Sequence, residues 1–199
     1  MEAGRRYTES RERITALVTG LPASQLGRAV PAIPGRTVRD VVEHLVGVAA
    51  GADVNAVLEQ WAAMGPAIES SAESSVEVGD RLVEDIACRE HDLRGALGKA
   101  GERDSATVDH ARQTAILRLH ERLDFAGVDG LRVLAGETEW IVGSTEPGAT
   151  LTTDPFTFFR LLFGRRSRGQ LQALSWTNDP EPYLGLLSQS PPLLVDLVE

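Results

Sequence analysis

Two polar side chains interrupt apolar stripes on predicted helices, and both are of types that could bind a metal ion. Val41, His44 and Val48 recur at intervals of three and four residues, so His44 shares a helix face with two valines. Asp85 interrupts an apolar stripe on the next long helix in the same way. Burying a neutral polar group costs roughly 2–7 kcal/mol unless it is paired or bound. We therefore predict a buried polar site at His44 and Asp85.

The spacing leaves two interpretations of this site open. An imidazole and a carboxylate on facing helices could be ligands of a divalent metal in a bundle core. Alternatively, Arg89 lies one turn after Asp85 and pairs with its carboxylate, while His44 is a hydrogen-bonded core residue. The spacing alone favours the second interpretation.

His91 is the other histidine on the Asp85 helix. It lies six residues after Asp85, so on an ideal helix the two side chains are rotated by about 120° from each other. His91 instead shares a face with Glu84 and Cys88. Arginines flank this face, and we predict that it is a solvated surface with a partly exposed thiol rather than a second metal site.

Four helical segments must position these groups. Apolar residues recur at helical spacing over residues 6–19, 37–64, 76–97 and 104–127, with Gly- or Pro-containing breaks between them. Thr37 is the predicted N-cap of the second helix, and Gly65-Pro66 is its predicted end. Four antiparallel helices joined by modest loops give an up-and-down bundle.

Beyond Gly127 the periodicity changes to that of strands. Runs over residues 131–135, 139–143 and 149–153 predict a small antiparallel meander. Asp154-Pro155 predicts the start of a short helix, and a strand over 170–176 and a helix near 183–187 follow. We therefore predict an α+β chain, with a metal-binding four-helix bundle domain over residues 1–127 and a small α/β domain with a short antiparallel sheet over 128–199.

Composition argues against several classes of partner. The net charge of −9 and the pI near 5.0 disfavour attraction to nucleic acid or to anionic membranes. The single cysteine, Cys88, cannot build an internal disulfide framework and fits a reducing compartment. No apolar run approaches the roughly 18 residues of a membrane span, and the N-terminus lacks the apolar core of a signal peptide. We expect a cytoplasmic monomer or weak homodimer that binds neither nucleic acid nor membrane.

Several separated segments resemble the mycothiol-dependent maleylpyruvate isomerase family. The run Pro34–Leu45, PGRTVRDVVEHL, is similar to that family's Gly-Trp-Thr-Val-x-Asp-x-x-x-His-Leu signature, with Arg36 in place of the tryptophan. Asp85–Gly98 resembles its acidic-x-x-x-His-x-x-Asp-Leu-Arg segment, and Phe163–Trp176 resembles its C-terminal region. The resemblance covers nearly the whole chain and implies a DinB-like fold for the N-terminal bundle.

The resemblance also implies a function and cofactors. It implies a mycothiol-dependent metalloenzyme, an isomerase or thiol transferase, with zinc and mycothiol as cofactors and a small-molecule substrate. His44 and Asp85 match two metal ligands by position, but Arg89 occupies the third ligand position, and arginine has no lone pair to donate. His91, two residues later, is the candidate replacement. The alternative is a non-catalytic member in which Arg89 replaces a ligand and which binds a small molecule or a protein.

The basic run Arg165-Arg166-Ser167-Arg168 follows a predicted helix end at Gly164. Such a run could bind an anionic ligand. A solvated loop near a helix C-terminus is the commoner arrangement, and we favour it here.

Overall fold

The structure, a computed structural model, describes residues 2–199. Over that range it contains nine helices and four strands. The helices are α1 (Glu2–Val18), α2 (Ala23–Leu26), α3 (Val38–Val46), α4 (Val54–Ala72), α5 (Val76–Leu97), α6 (Ala106–Ala126), α7 (Pro155–Leu162), α8 (Arg168–Gln172) and α9 (Glu181–Leu184). The strands are β1 (Gly130–Ala135), β2 (Thr138–Val142), β3 (Pro147–Thr153) and β4 (Ser175–Trp176).

The chain divides into two compact units, residues 2–107 with Glu199, and residues 108–198. The first unit is helical and the second holds the sheet, which confirms the predicted α+β class. The division falls earlier than the predicted boundary at 127/128, because α6 packs its apolar face on the sheet. The boundary at 127/128 as a limit between folding domains stays a prediction.

Helices α1, α3, α4 and α5 pack together in the first unit, with α1 against α4 and α5, and α3 against the same two helices. Their contacts bury large side chains such as Ile14, Trp61 and Ile86. Burial of apolar surface at about 25 cal/mol per Å² is the main source of stability in such a core. Thr37 caps α3 as predicted, in a reciprocal capping box with Asp40.

The predicted helix over residues 37–64 is wrong in two respects. Helix α3 ends at Val46, because Gly47 adopts a left-handed conformation with φ of 73°. The next helix begins only after Asp53, whose carboxylate accepts from two backbone amides of α4. Nor does Gly65-Pro66 end α4, which continues to Ala72 with Pro66 inside it. The proline removes one helical hydrogen bond, and the tertiary packing of α4 outweighs that loss.

The sheet of the second unit is mixed rather than wholly antiparallel. Its strand order is β2-β1-β3-β4, with β1 and β3 parallel and the other two pairs antiparallel. After β2, the chain crosses to the opposite edge of β1, where β3 pairs with β1 in the parallel direction. In this pairing Val133 of β1 lies opposite Leu151 of β3. One face of the sheet is covered by apolar residues of α6, including Leu119 and Leu123.

The predicted strand over residues 170–176 is wrong for all but its last two residues, since 170–172 belong to α8. Ser167 and Gln170 form a capping box that starts α8, and only Ser175 and Trp176 pair as a strand. The predicted helix start at Asp154-Pro155 is confirmed, since Asp154 caps α7 by accepting from the Thr157 amide at 2.9 Å. Within residues 2–199, none of the helices has both the length and the apolar character of a membrane span.

Candidate functional site

The structure brings His44 and Asp85 together from two helices. His44 lies in the last turn of α3 and Asp85 lies in the middle of α5, and His44 Nε2 is 3.9 Å from Asp85 Oδ2. The predicted burial of this pair is wrong, because 62% of the His44 side chain and 45% of the Asp85 side chain are exposed. The buried face of α3 runs through Val38, Val42 and Val46, and His44 lies beside it.

Arg89 completes the cluster by pairing with Asp85. Arg89 Nε donates to Asp85 Oδ1 at 3.2 Å, as the i,i+4 spacing predicts. Arg89 Nη1 makes a longer contact of 3.5 Å with Asp92 Oδ2. The Asp92 side chain has no exposed surface, whereas 20% of the Arg89 side chain is exposed. Sequence reasoning missed Asp92, although its i,i+3 spacing from Arg89 was a usable signal.

His91 lies on a different and buried face of α5. The predicted solvated surface is wrong, because Glu84, Cys88 and His91 are all buried. Helix α5 contacts α1, α3 and α4, so more of its circumference is covered than that of a surface helix. Within residues 2–199, no three side chains of the His, Cys, Asp or Glu types form a group that could hold a metal. The structure therefore does not bring His91 into one ligand set with His44 and Asp85.

A comparison with known protein families gives one match to this chain. The family model for the mycothiol maleylpyruvate isomerase N-terminal domain matches residues 7–140. The chain belongs to this family. The matched span contains the whole His44–Asp85–Arg89 cluster and most of the first strand pair. No curated protein and no solved structure gives a significant match.

The metal that the mycothiol maleylpyruvate isomerase resemblance implies does not fit the side chains of the cluster. Only His44 and Asp85 offer donor atoms, and a guanidinium that has no lone pair stands in the third position. The positive charge of the guanidinium would also repel a divalent cation bound beside it. The donor set therefore disfavours a divalent metal in the place the resemblance implies.

Tyr7 is a further polar group beside the cluster. Its side chain is buried, and its hydroxyl accepts a hydrogen bond from Trp61 Nε1 at 2.9 Å. Burial raises the pKa of Tyr7, the Trp61 hydrogen bond opposes this, and the negative charge of Asp85 raises the pKa further. The phenol therefore stays protonated near neutral pH. Tyr7 lies in the predicted helix over residues 6–19, and its spacing there gave no signal of a polar role.

A second polar cluster joins the end of α6 to the loop after β2. Ser144 donates to Asp124 through its backbone amide at 2.6 Å and through its hydroxyl at 2.5 Å. His120 Nδ1 accepts from the Gly143 amide at 2.9 Å, so the proton of the neutral imidazole is on Nε2. His120 Nε2 then cannot take a proton from Ser144. The cluster contains the residue types of a catalytic triad, but its bonding is that of a structural clamp.

The arginines of the basic run are engaged within the second unit. Arg165 and Arg166 are half-buried, and each donates to a backbone carbonyl. Arg168 is exposed and pairs with Glu181. The favoured prediction of a solvated loop is therefore wrong for the two half-buried residues before Ser167, and Arg168 is solvated as predicted but begins α8.

Proposed function

We propose that this protein binds a thiol of the mycothiol type, or a related small molecule, at the His44–Asp85–Arg89 cluster and acts on it as an isomerase or thiol transferase. The observation that carries the proposal is the contact of one carboxylate with two partners. Asp85 Oδ2 faces His44 and Asp85 Oδ1 accepts from Arg89. A small molecule can reach all three side chains, because each is partly exposed.

The charges of the cluster favour a neutral polar ligand. Asp85 lies between His44 and Arg89 and is nearly half exposed. An anionic ligand would meet this carboxylate at short range. A thiol with hydroxyl and amide groups would instead find acceptors on Asp85 and donors on Arg89 and His44.

The direct test is calorimetric titration of the purified chain with mycothiol. Asp85→Asn should weaken binding by at least about tenfold, since a hydrogen bond to a charged group contributes about 1.5–3 kcal/mol. Asp109→Asn is the matched control, because Asp109 is a similarly exposed aspartate, 48% against 45%, that also pairs with an arginine on its own helix. Equal binding by wild type and Asp85→Asn would refute the proposed site.

An activity assay separates the catalytic proposal from its non-catalytic alternative. A mycothiol-dependent isomerisation or thiol transfer that Asp85→Asn abolishes and Asp109→Asn retains would support an enzyme. Thiol binding without turnover of any maleylpyruvate-like substrate would favour a small-molecule-binding module instead.

A metalloenzyme with His44, Asp85 and His91 as zinc ligands is the second candidate. The observation in its favour is that an imidazole nitrogen and a carboxylate oxygen face each other 3.9 Å apart across two helices. This candidate requires α5 to rearrange so that His91 leaves its buried face. It predicts one zinc ion per chain by elemental analysis, and loss of that ion in both His44→Gln and His91→Gln.

A further inference from the structure

We propose that Arg89 is a resident cation that takes the place of a divalent metal at this site, and that Asp92 is the positioning residue that holds it there. The inference rests on the proposed function for the location of the small-molecule site. It adds that this site excludes a divalent metal ion. It rests on the contacts of Arg89, on the burial of Asp92 and on the chemistry of the donor set.

The guanidinium is fixed between two carboxylates. Its Nε donates to Asp85 and its Nη1 contacts Asp92, so two of the five N–H groups of the side chain are directed to acid groups about one turn before and one turn after Arg89 on α5. The other N–H groups of Arg89 make no hydrogen bond to the described part of the chain. They are therefore available to acceptor atoms of a ligand beside His44 and Asp85.

The burial of Asp92 opposes movement of Arg89 away from the site. Asp92 has no exposed side-chain surface, and a carboxylate in that setting requires positive charge or hydrogen-bond donors close by, of which Arg89 is one. If Arg89 turned outward to admit a metal ion, Asp92 would lose its contact with the guanidinium. Metal binding at Asp85 thus competes with an ion pair that is partly inside the helix bundle.

The class of ligand follows from the difference between a guanidinium, which donates hydrogen bonds, and a metal ion, which coordinates ligand atoms directly. A divalent metal would bind a soft thiolate or a hard anion directly. A guanidinium offers only hydrogen bonds and a single delocalised charge, which the two aspartates already offset. The site should therefore hold neutral groups with acceptor atoms, such as the carbonyl and hydroxyl oxygens of an amide-bearing or sugar-bearing thiol.

Zinc titration of chelator-treated protein tests the exclusion of metal. Wild type should take up no stoichiometric zinc at this site, while Arg89→His should bind one zinc ion per chain at least roughly tenfold more tightly. Adding His44→Gln to Arg89→His should abolish that gain. Arg81→His is the matched control, because Arg81 is an exposed arginine on the same helix that pairs only with Glu77.

Two results would overturn the proposal. The first is stoichiometric zinc binding by wild type that His44→Gln removes, and this measurement does not depend on whether any Arg89 variant folds. The second is a folded Arg89→His chain, checked by circular dichroism, that gains no zinc. Thiol titration of the same wild-type protein gives an independent result, so failure of the proposed function is distinguishable from failure of this inference.

The role of Asp92 has a spectroscopic test. In an NMR spectrum of arginine side chains, the Arg89 Nη–H signals should be resolved in wild type, be lost in Asp92→Asn and return in Asp92→Glu, because Nη1 is the atom that contacts Asp92. The Nε–H signals of Arg13 and Arg94, which donate to Glu90, are internal references for the fold. Loss of all three signals together, or no change at Arg89, would contradict a positioning role.

Discussion

Arg13 of α1 donates three hydrogen bonds to Glu90 of α5 inside the helix bundle. Arg13 Nε donates to Glu90 Oε1 at 2.8 Å and Arg13 Nη2 donates to Glu90 Oε2 at 2.9 Å. The Glu90 side chain is almost fully buried, and it also accepts from Arg94 one turn later. This fork geometry joins the two helices at a fixed register, because two N–H groups on one edge of the guanidinium must match the two carboxylate oxygens.

Glu90→Gln should therefore destabilise the first unit strongly. Removing one partner of a buried ion pair costs about 3–5 kcal/mol, since the remaining charges lose their compensation. Urea unfolding followed by circular dichroism measures the change. Glu77→Gln is the control, because Glu77 pairs with Arg81 on the exposed side of the same helix, and such a pair contributes at most about 1 kcal/mol. Equal decreases in the free energy of unfolding for the two variants would show that the buried ion pair stabilises the protein no more than the exposed one.

The Tyr7–Trp61 hydrogen bond gives a second stability prediction. Tyr7→Phe leaves the Trp61 N–H buried without its acceptor, which should cost about 1–3 kcal/mol. Trp61→Phe removes the donor as well as ring volume. In a double-mutant cycle, the two changes together should therefore cost less than the sum of the single changes. Strict additivity in urea unfolding would refute an energetic link between the two side chains.

The clamp at Asp124 predicts a dependence of stability on pH. The hydrogen bonds from the Ser144 hydroxyl and amide lower the pKa of Asp124 below its ordinary value of 3.8. Because the folded-state pKa lies below the unfolded value, the stabilisation is fully present above pH 3.8 and is lost as the pH falls through the folded pKa. The difference in melting temperature between wild type and Asp124→Asn should therefore be largest near neutral pH and shrink in acid.

The control for this pH dependence is Glu121→Gln, an exposed carboxylate on the same helix. It should shift the melting temperature little at any pH. A wild-type advantage over Asp124→Asn that stays constant from neutral to strongly acidic pH would contradict the clamp.

Local signals in the sequence predicted individual helices well. The bounds of α5 follow from an apolar stripe between Ser75 and Gly98, and the structure has the same limits. The N-caps at Thr37 and Asp154 follow from side-chain chemistry that needs no tertiary information. The approach of His44 to Asp85 was predictable, because each lies in or beside an apolar stripe and the apolar stripes of two helices pack against each other.

Features that depend on contacts between distant residues were not predictable in this way. Strand periodicity does not say which neighbour a strand pairs with, so the parallel β1–β3 pair was missed. The exposure of His44 depends on where α3 ends, and that end was placed too late. The burial of Asp92 was not predicted, because an acidic residue on a helix is expected to be solvent-exposed unless the helices packed around it are known.

The end of α3 at Gly47 supports a final prediction about the segment beside His44. Gly47 has φ of 73°, a conformation in which a side chain costs about 1–2 kcal/mol. The loop after α3 is bound to that helix by one hydrogen bond, in which the buried Glu43 carboxylate accepts from the Gly51 amide at 2.9 Å. Gly47→Ala should therefore lower the free energy of unfolding by about 1–2 kcal/mol in urea unfolding. It should also weaken ligand binding at His44, because strain in the last turn of α3 displaces the imidazole.

Gly185→Ala is the matched control for the backbone term. Gly185 also follows a helix end, but its φ is −79° and a Cβ there would meet no atom within 4 Å. That variant should leave both stability and thiol binding close to wild type. If Gly47→Ala also left stability and thiol binding unchanged, α3 could end in another backbone conformation. The position of His44 would then not depend on the left-handed conformation of Gly47.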